Sequence, residues 1–149
     1  MEIQKNTVLV VDDNPQNIQV VANLLTSNGF NVECSTSGAE ALIWVSKEKF
    51  DLILLDIMMP NMDGLELISL IKENKYTRHI PLIIISAKIS DQEQAAGLNI
   101  GADAYLTKPF SPTVLLSVVN RLMTNQRELK EYFYSPESAY QYTEGQLLH

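Results

Sequence analysis

The sequence holds a single cysteine, Cys34. One thiol closes no internal disulfide and builds no cysteine-rich zinc site. Long apolar runs are missing as well. The longest, such as Leu52 to Leu55 and Leu82 to Ile85, fall far short of the roughly 20 residues that a membrane-spanning helix needs. The N-terminal Met1-Glu2-Ile3-Gln4-Lys5 lacks the basic-then-apolar order of a secretory signal, so a cytoplasmic setting is the default expectation. Cations are few: 11 Lys plus Arg against 18 Asp plus Glu leave a net charge of −7. That balance argues against a broad nucleic-acid surface on this chain, because neutralising phosphates takes clustered Lys and Arg. There is no Gly-Lys-Ser/Thr phosphate loop and no low-complexity stretch. What remains is ordinary for a globular domain. Hydrophobic residues make up 46% and charged residues 19% of 149 residues, a length suited to one domain with a sizeable core.

Short β-branched runs alternate with segments of helical period. Thr7 to Val11 is a continuous apolar run, too short for a helix and rich in valine, and reads as a buried parallel strand. Asn14-Pro15 is an N-cap followed by proline at the first helical position. Ile18, Val21, Ala22, Leu24 and Leu25 then recur at helical spacing up to Asn28-Gly29. Phe30 to Cys34 is a second strand. Ser37 with Glu40 opens a helix bearing Ala41, Leu42, Trp44 and Val45. Leu52 to Leu55 forms the third strand, and Pro60 to Gly64 is turn chemistry. Asp63 with Glu66 caps a helix bearing Leu67, Ile68, Leu70 and Ile71. Leu82 to Ile85 is the fourth strand, followed by a weaker helix opened by Ser90 and Glu93 and closed by Gly101. Ala102 to Leu106 is the fifth strand. Ser111-Pro112 opens the last helix, with Val114, Leu115, Val118, Val119, Leu122 and Met123 on one face. Such alternation predicts a parallel sheet with helices on both faces and right-handed crossovers.

In an open parallel sheet, chemistry gathers at the carboxyl ends of the strands. Here those ends carry Asp12 and Asp13, Asp56, Ser86 and Lys108. Any one of them alone is well explained as a turn former, a cap or a solvated loop residue. Their coincidence at one edge points to a site. Three converging carboxylates repel one another, and either a bound proton or a divalent cation relieves them. An all-oxygen site suits Mg²⁺. An ammonium and a hydroxyl beside it fit an aspartate acting as nucleophile toward phosphorus. Other polar residues read as structural: Asp51 at the opposite edge, Asp63 as a cap, His79 and His149 at the surface. Trp44, Met123 and Cys34 read as core.

Four segments carry a family resemblance: Val8 to Asp13, Asp56-Ile57-Met58-Met59-Pro60-Asn61-Met62-Asp63-Gly64, Ser86-Ala87 and Lys108-Pro109-Phe110. Together they resemble the receiver domain of two-component response regulators, including the chemotaxis-regulator type, over residues 6 to about 124. The resemblance implies a flavodoxin-like, doubly wound sheet of five parallel strands in the order 2-1-3-4-5. It implies that Asp56 accepts a phosphoryl group from a histidine kinase or histidine phosphotransfer protein. Asp12, Asp13, Asp56 and the backbone carbonyl of Met58 would hold Mg²⁺, or Mn²⁺ in its place. Lys108 would contact the phosphoryl oxygens, and the Lys108-Pro109 bond would be cis. Ser86 and Tyr105 would be the switch pair. Asn14 stands where many relatives have an acidic residue, and Met58 and Lys88 would flank the site and tune phosphoryl lifetime. The role is that of a signalling domain rather than an enzyme, with limited autophosphatase activity at most. No membrane contact is implied. A homodimer would use the fourth helix, fifth strand and last helix.

Two competing chemistries fit less well. A phosphatase of the haloacid-dehalogenase type expects a second aspartate two residues after the nucleophile, where this chain has Met58. A flavin mononucleotide binder needs a hydroxyl- and amide-rich loop after the first strand, where Asp12 and Asp13 would repel the phosphate. The expected division is a receiver domain over residues 1–124 and a helical extension with linker over 125–149. Leu129 and Phe133 continue an apolar spacing through Gln126 to Tyr134, and Ser135-Pro136 should end it. Residues 138–149 show no period. Two arrangements are expected: a stand-alone receiver, or one joined to an output domain in a hybrid kinase or DNA-binding regulator.

Overall fold

In the computed structural model the described residues are 5–58, 64–87 and 90–134, with side chains described as far as residue 128. Five strands and five helices alternate: β1 Thr7–Val11, α1 Pro15–Ser27, β2 Asn31–Ser35, α2 Gly38–Lys47, β3 Leu52–Leu55, α3 Gly64–Glu73, β4 Leu82–Ser86, α4 Asp91–Ile100, β5 Ala104–Thr107 and α5 Pro112–Tyr134. All strand pairs are parallel, in the order β2-β1-β3-β4-β5.

The helix starts follow from capping chemistry. Asn14 Oδ1 accepts from the backbone N–H groups of Gln16 at 2.8 Å and Asn17 at 3.4 Å, with Pro15 as the first helical residue. Ser37 and Ser90 accept from Glu40 and Glu93 in the same way. Gly101, at φ +137°, closes α4 in a conformation that other residues rarely adopt.

Alternate residues of the central strands feed two cores. Val8, Val10, Leu52, Leu54, Ile83 and Ile85 face α1 and α5. Leu9, Val11, Ile53, Leu55 and Ile84 face the other way, toward α2 and α3. Every residue of β3 and β4 is buried, which is why those strands read as unbroken apolar runs. Helix α4 is held more loosely, with Gly97 as its one buried residue.

The bounds of three strands differ from the sequence reading, with β2 ending at Ser35 rather than Cys34 and β5 at Thr107 rather than Leu106. Phe30 lies outside β2 because its N–H turns back to Leu25 O at the end of α1. Strand β4 runs one residue further, to Ser86. Strand β5 starts at Ala104, not Ala102, because Ala102 N–H is taken by Gly97 O and Asp103 closes on Leu82 instead. Cys34, expected in the core, is half-buried, since β2 is an edge strand. Trp44 is partly buried and meets Phe50 edge-on, centroids 6.4 Å apart. Met123 is buried and His79 exposed, as expected. Asp51 ties the N-terminal edge together by accepting from Thr7 N–H at 2.8 Å. Helix α5 runs without a break past residue 124 to Tyr134. The Asp63 cap, the turn over 60–63, Lys88, His149 and the segment 138–149 lie outside the described residues. No helix among the described residues is long and apolar enough to cross a membrane.

Candidate functional site

The carboxyl edge of the sheet is assembled by backbone bonds that carry the ladder one step past the strands. Asp12 N–H donates to Ser35 O, Asp56 N–H to Val11 O and Lys108 N–H to Ser86 O. These bonds set the first residues of three loops side by side. Each brings a polar side chain with it.

Asp56 is the most heavily engaged. Its Oδ1 accepts from Ser86 Oγ at 2.7 Å and from Met58 N–H at 2.8 Å. Its Oδ2 accepts from Lys108 Nζ at 3.0 Å. Lys108 also donates to Asp12 Oδ2 at 2.8 Å, and Asp12 Oδ1 accepts from Asn14 N–H at 2.9 Å. Asp12, Asp56 and Ser86 are buried, while Asp13 is exposed. One carboxylate oxygen from each of Asp12, Asp13 and Asp56 lies within 4.8 Å of the others. Three carboxylates against one ammonium leave a local deficit of positive charge.

The titration behaviour follows. The Asp13 carboxyl is raised above its ordinary 3.8 by desolvation, by its hydrogen bond with Asp12 and by the charges of Asp12 and Asp56. At Lys108, burial works against the charged form. Its bonds to Asp12 and Asp56 and their charges outweigh this, and the ammonium is held above 10.5. The donor set, hard oxygens with unsatisfied negative charge, fits a divalent cation of the Mg²⁺ kind.

The structure thus brings together Asp12, Asp13, Asp56, Ser86 and Lys108, all singled out from the sequence. The Lys108-Pro109 peptide is cis. Tyr105 lies nearby on β5, its hydroxyl donating to Ala87 O at 3.1 Å in the loop that follows Ser86. Met58 contributes a backbone N–H, and its side chain is 58% exposed beside the site. Sequence reasoning missed two features. One is the close packing at Gly64, which the sequence marked only as turn chemistry: a Cβ there would stand 2.2 Å from Ile57 Cα, so the start of α3 crosses directly over the turn that aims Met58 N–H at Asp56. The other is an apolar hollow of about 450 Å³ beside Lys108, walled by Val20, Pro109 and Phe110. Val20, off the buried face of α1, was its one sequence signal.

The family model of the response regulator receiver domain matches residues 8–120. The chain belongs to that family. Among curated relatives of this receiver, the regulatory protein VanRc of Enterococcus gallinarum is 37% identical over 131 residues, which are 88% of this chain and 54% of that protein. A probable cyclic di-GMP phosphodiesterase of Vibrio cholerae is 36% identical over 126 residues, 85% of this chain and 28% of that protein. The receiver therefore spans about half, or less, of these relatives. Among solved structures, a CheY-like receiver domain protein of Methanospirillum hungatei superposes with TM-score 0.79 at 29% identity, covering 84% of this chain and 98% of that one. The signal receiver domain of a Syntrophus aciditrophicus histidine kinase gives 0.76 at 32% identity, covering 80% and 91%.

Proposed function

We propose that this receiver is the phosphoacceptor of a phosphorelay and that Asp56 carries the phosphoryl group. The observation behind this reading is the threefold grip on the Asp56 carboxylate by Ser86, Met58 N–H and Lys108. A carboxylate oxygen of Asp56 attacks phosphorus of a phosphohistidine on a histidine kinase or histidine phosphotransfer protein. The new O–P bond forms as the N–P bond breaks, and the departing imidazole takes a proton from solvent. Asp12, Asp13, Asp56 and the backbone carbonyl of Met58 would hold Mg²⁺, or Mn²⁺ with the same oxygen preference. When bound, the cation neutralises charge on the transferring phosphoryl oxygens.

The remaining steps belong to the protein's own side chains. Lys108, already placed between Asp12 and Asp56, moves its donors onto the phosphoryl oxygens. Ser86 Oγ exchanges the Asp56 carboxylate for a phosphoryl oxygen. These contacts exist in one state only, so they shift an equilibrium. Tyr105, bonded to the carbonyl next to Ser86, passes the change to the α4–β5–α5 face. Output through a second domain or a separate partner, in the cytoplasm, completes the reading. Incubation with acetyl phosphate and Mg²⁺ should give a stoichiometric phosphoryl adduct by intact mass. The adduct should be absent in Asp56→Asn, and an adduct persisting in that variant would defeat the assignment.

A further inference from the structure

The edge of the sheet opposite the acidic site holds a second concavity, a groove of about 500 Å³. It lies between the α2–β3 connection and the α3–β4 connection. Phe50, 4% exposed, forms part of its lining, and Tyr76, 74% exposed, stands on its rim with Lys75 Nζ 5.1 Å from the ring centroid. The two connections carry Lys49, Lys75 and Arg78 against Glu48 and Asp51, and Asp51 is already engaged by Thr7 N–H. In a chain of net charge −7, these connections carry a local surplus of one positive charge.

We infer that the groove is the docking site of the chain's own segment 135–149. Three observations select this occupant. The first is position. Gln126 Nε2 of α5 donates to the carbonyl of His79, a groove residue, at 3.3 Å. The helix that leads into the segment is therefore anchored at the groove's rim. From Gln126 to Tyr134 the helix rises only about 12 Å further. Fifteen extended residues reach up to about 50 Å, ample for return. The second is charge. Residues 135–149 contain Glu137 and Glu144 and no Lys or Arg. The third is chemistry. Tyr140 and Tyr142 are spaced i, i+2, so an extended backbone turns both rings to one side. Two such rings match a groove with an aromatic lining and an exposed tyrosine–lysine pair at its rim.

Docking there would hold the linker against the domain's N-terminal edge and set where anything joined to it begins. The test uses the full chain with Cys34→Ser and Thr143→Cys, carrying a nitroxide spin label on the new thiol. Amides of 46–51 and 76–80 should lose several-fold more intensity than those of Asp12 and Asp13 at the other end of the sheet. Tyr140→Ser with Tyr142→Ser should abolish the difference, and added salt should reduce it. Equal loss across the fold, or none, would overturn the inference. So would loss seen only when spin-labelled and isotope-labelled molecules are mixed, which would assign the groove to a second copy. The amide spectrum of each variant reports directly whether the domain has folded.

Discussion

Asp13 is the exposed corner of a carboxylate triad whose other two members are buried. Its raised titration has a definite sign for stability. A carboxyl that holds its proton more tightly in the folded state costs nothing below its ordinary 3.8 and weakens the fold as pH rises through its shifted value. At neutral pH, without a cation, Asp13 therefore opposes folding. Asp13 is exposed and water screens the effect, so Asp13→Asn should raise the melting temperature in chelator only slightly and lose the rise expected on adding Mg²⁺ to the parent, both readable by calorimetry. Lys108 competes for the same oxygens. Lys108→Met takes the site from a charge of −2 to −3, so Mg²⁺ should bind at least about tenfold more tightly by calorimetric titration while phosphoryl uptake falls. Asp12, Asp13, Asp56, Ser86 and Lys108 were legible because strand ends announce themselves in sequence. The N–H donors of Met58 and Asn14 were not, because a backbone donor has no signature of its own.

At the scale of elements, most boundaries followed from apolar runs and caps. The misjudged starts of β2 and β5 share one cause. Phe30 and Ala102 are apolar and read as strand, yet their N–H groups serve the ends of α1 and α4, a competition decided by helix-end carbonyls. Two helical glycines now give contrasting predictions. At Gly64 an added Cβ meets Ile57 backbone at 2.2 Å, and backbone cannot swing aside. Gly64→Ala should cost about 3 kcal/mol or more in urea unfolding and displace Met58 N–H from Asp56, slowing phosphorylation as well. At Gly97 the Cβ meets the end of Ile84, Cδ1 at 2.7 Å. Gly97→Ala should cost about 1 kcal/mol, the tip of the side chain yielding while α4 lifts slightly. Similar costs for the two would contradict this account of how α3 and α4 are seated.

The net charge of −7 conceals how unevenly charge is placed. Asp12, Asp13 and Asp56 converge at one sheet edge, while the connections at the other carry a small surplus of cations. Composition argued against broad phosphate binding, and the distribution of charge sharpens this: the field of the acidic edge favours cations, and under the proposed reading a cation there would precede the phosphoryl donor. Assembly belongs to this scale too. If the α4–β5–α5 face is the output surface, a phosphoryl mimic with Mg²⁺ should double the mass by light scattering, and unchanged mass would remove the dimer reading. Finally, α5 starts four residues after Lys108 and continues for 23 residues without interruption. At 1.5 Å per residue it is a rod of about 34 Å, most of it against the sheet and its last turns beyond Gln126. Such a rod is a mechanical lever. A tilt of about 5° where it starts beside the acidic edge becomes a displacement of about 3 Å at Tyr134. A rearrangement no larger than a hydroxyl changing partners can thus be delivered far from the carboxylates as a movement large enough for another protein surface to register.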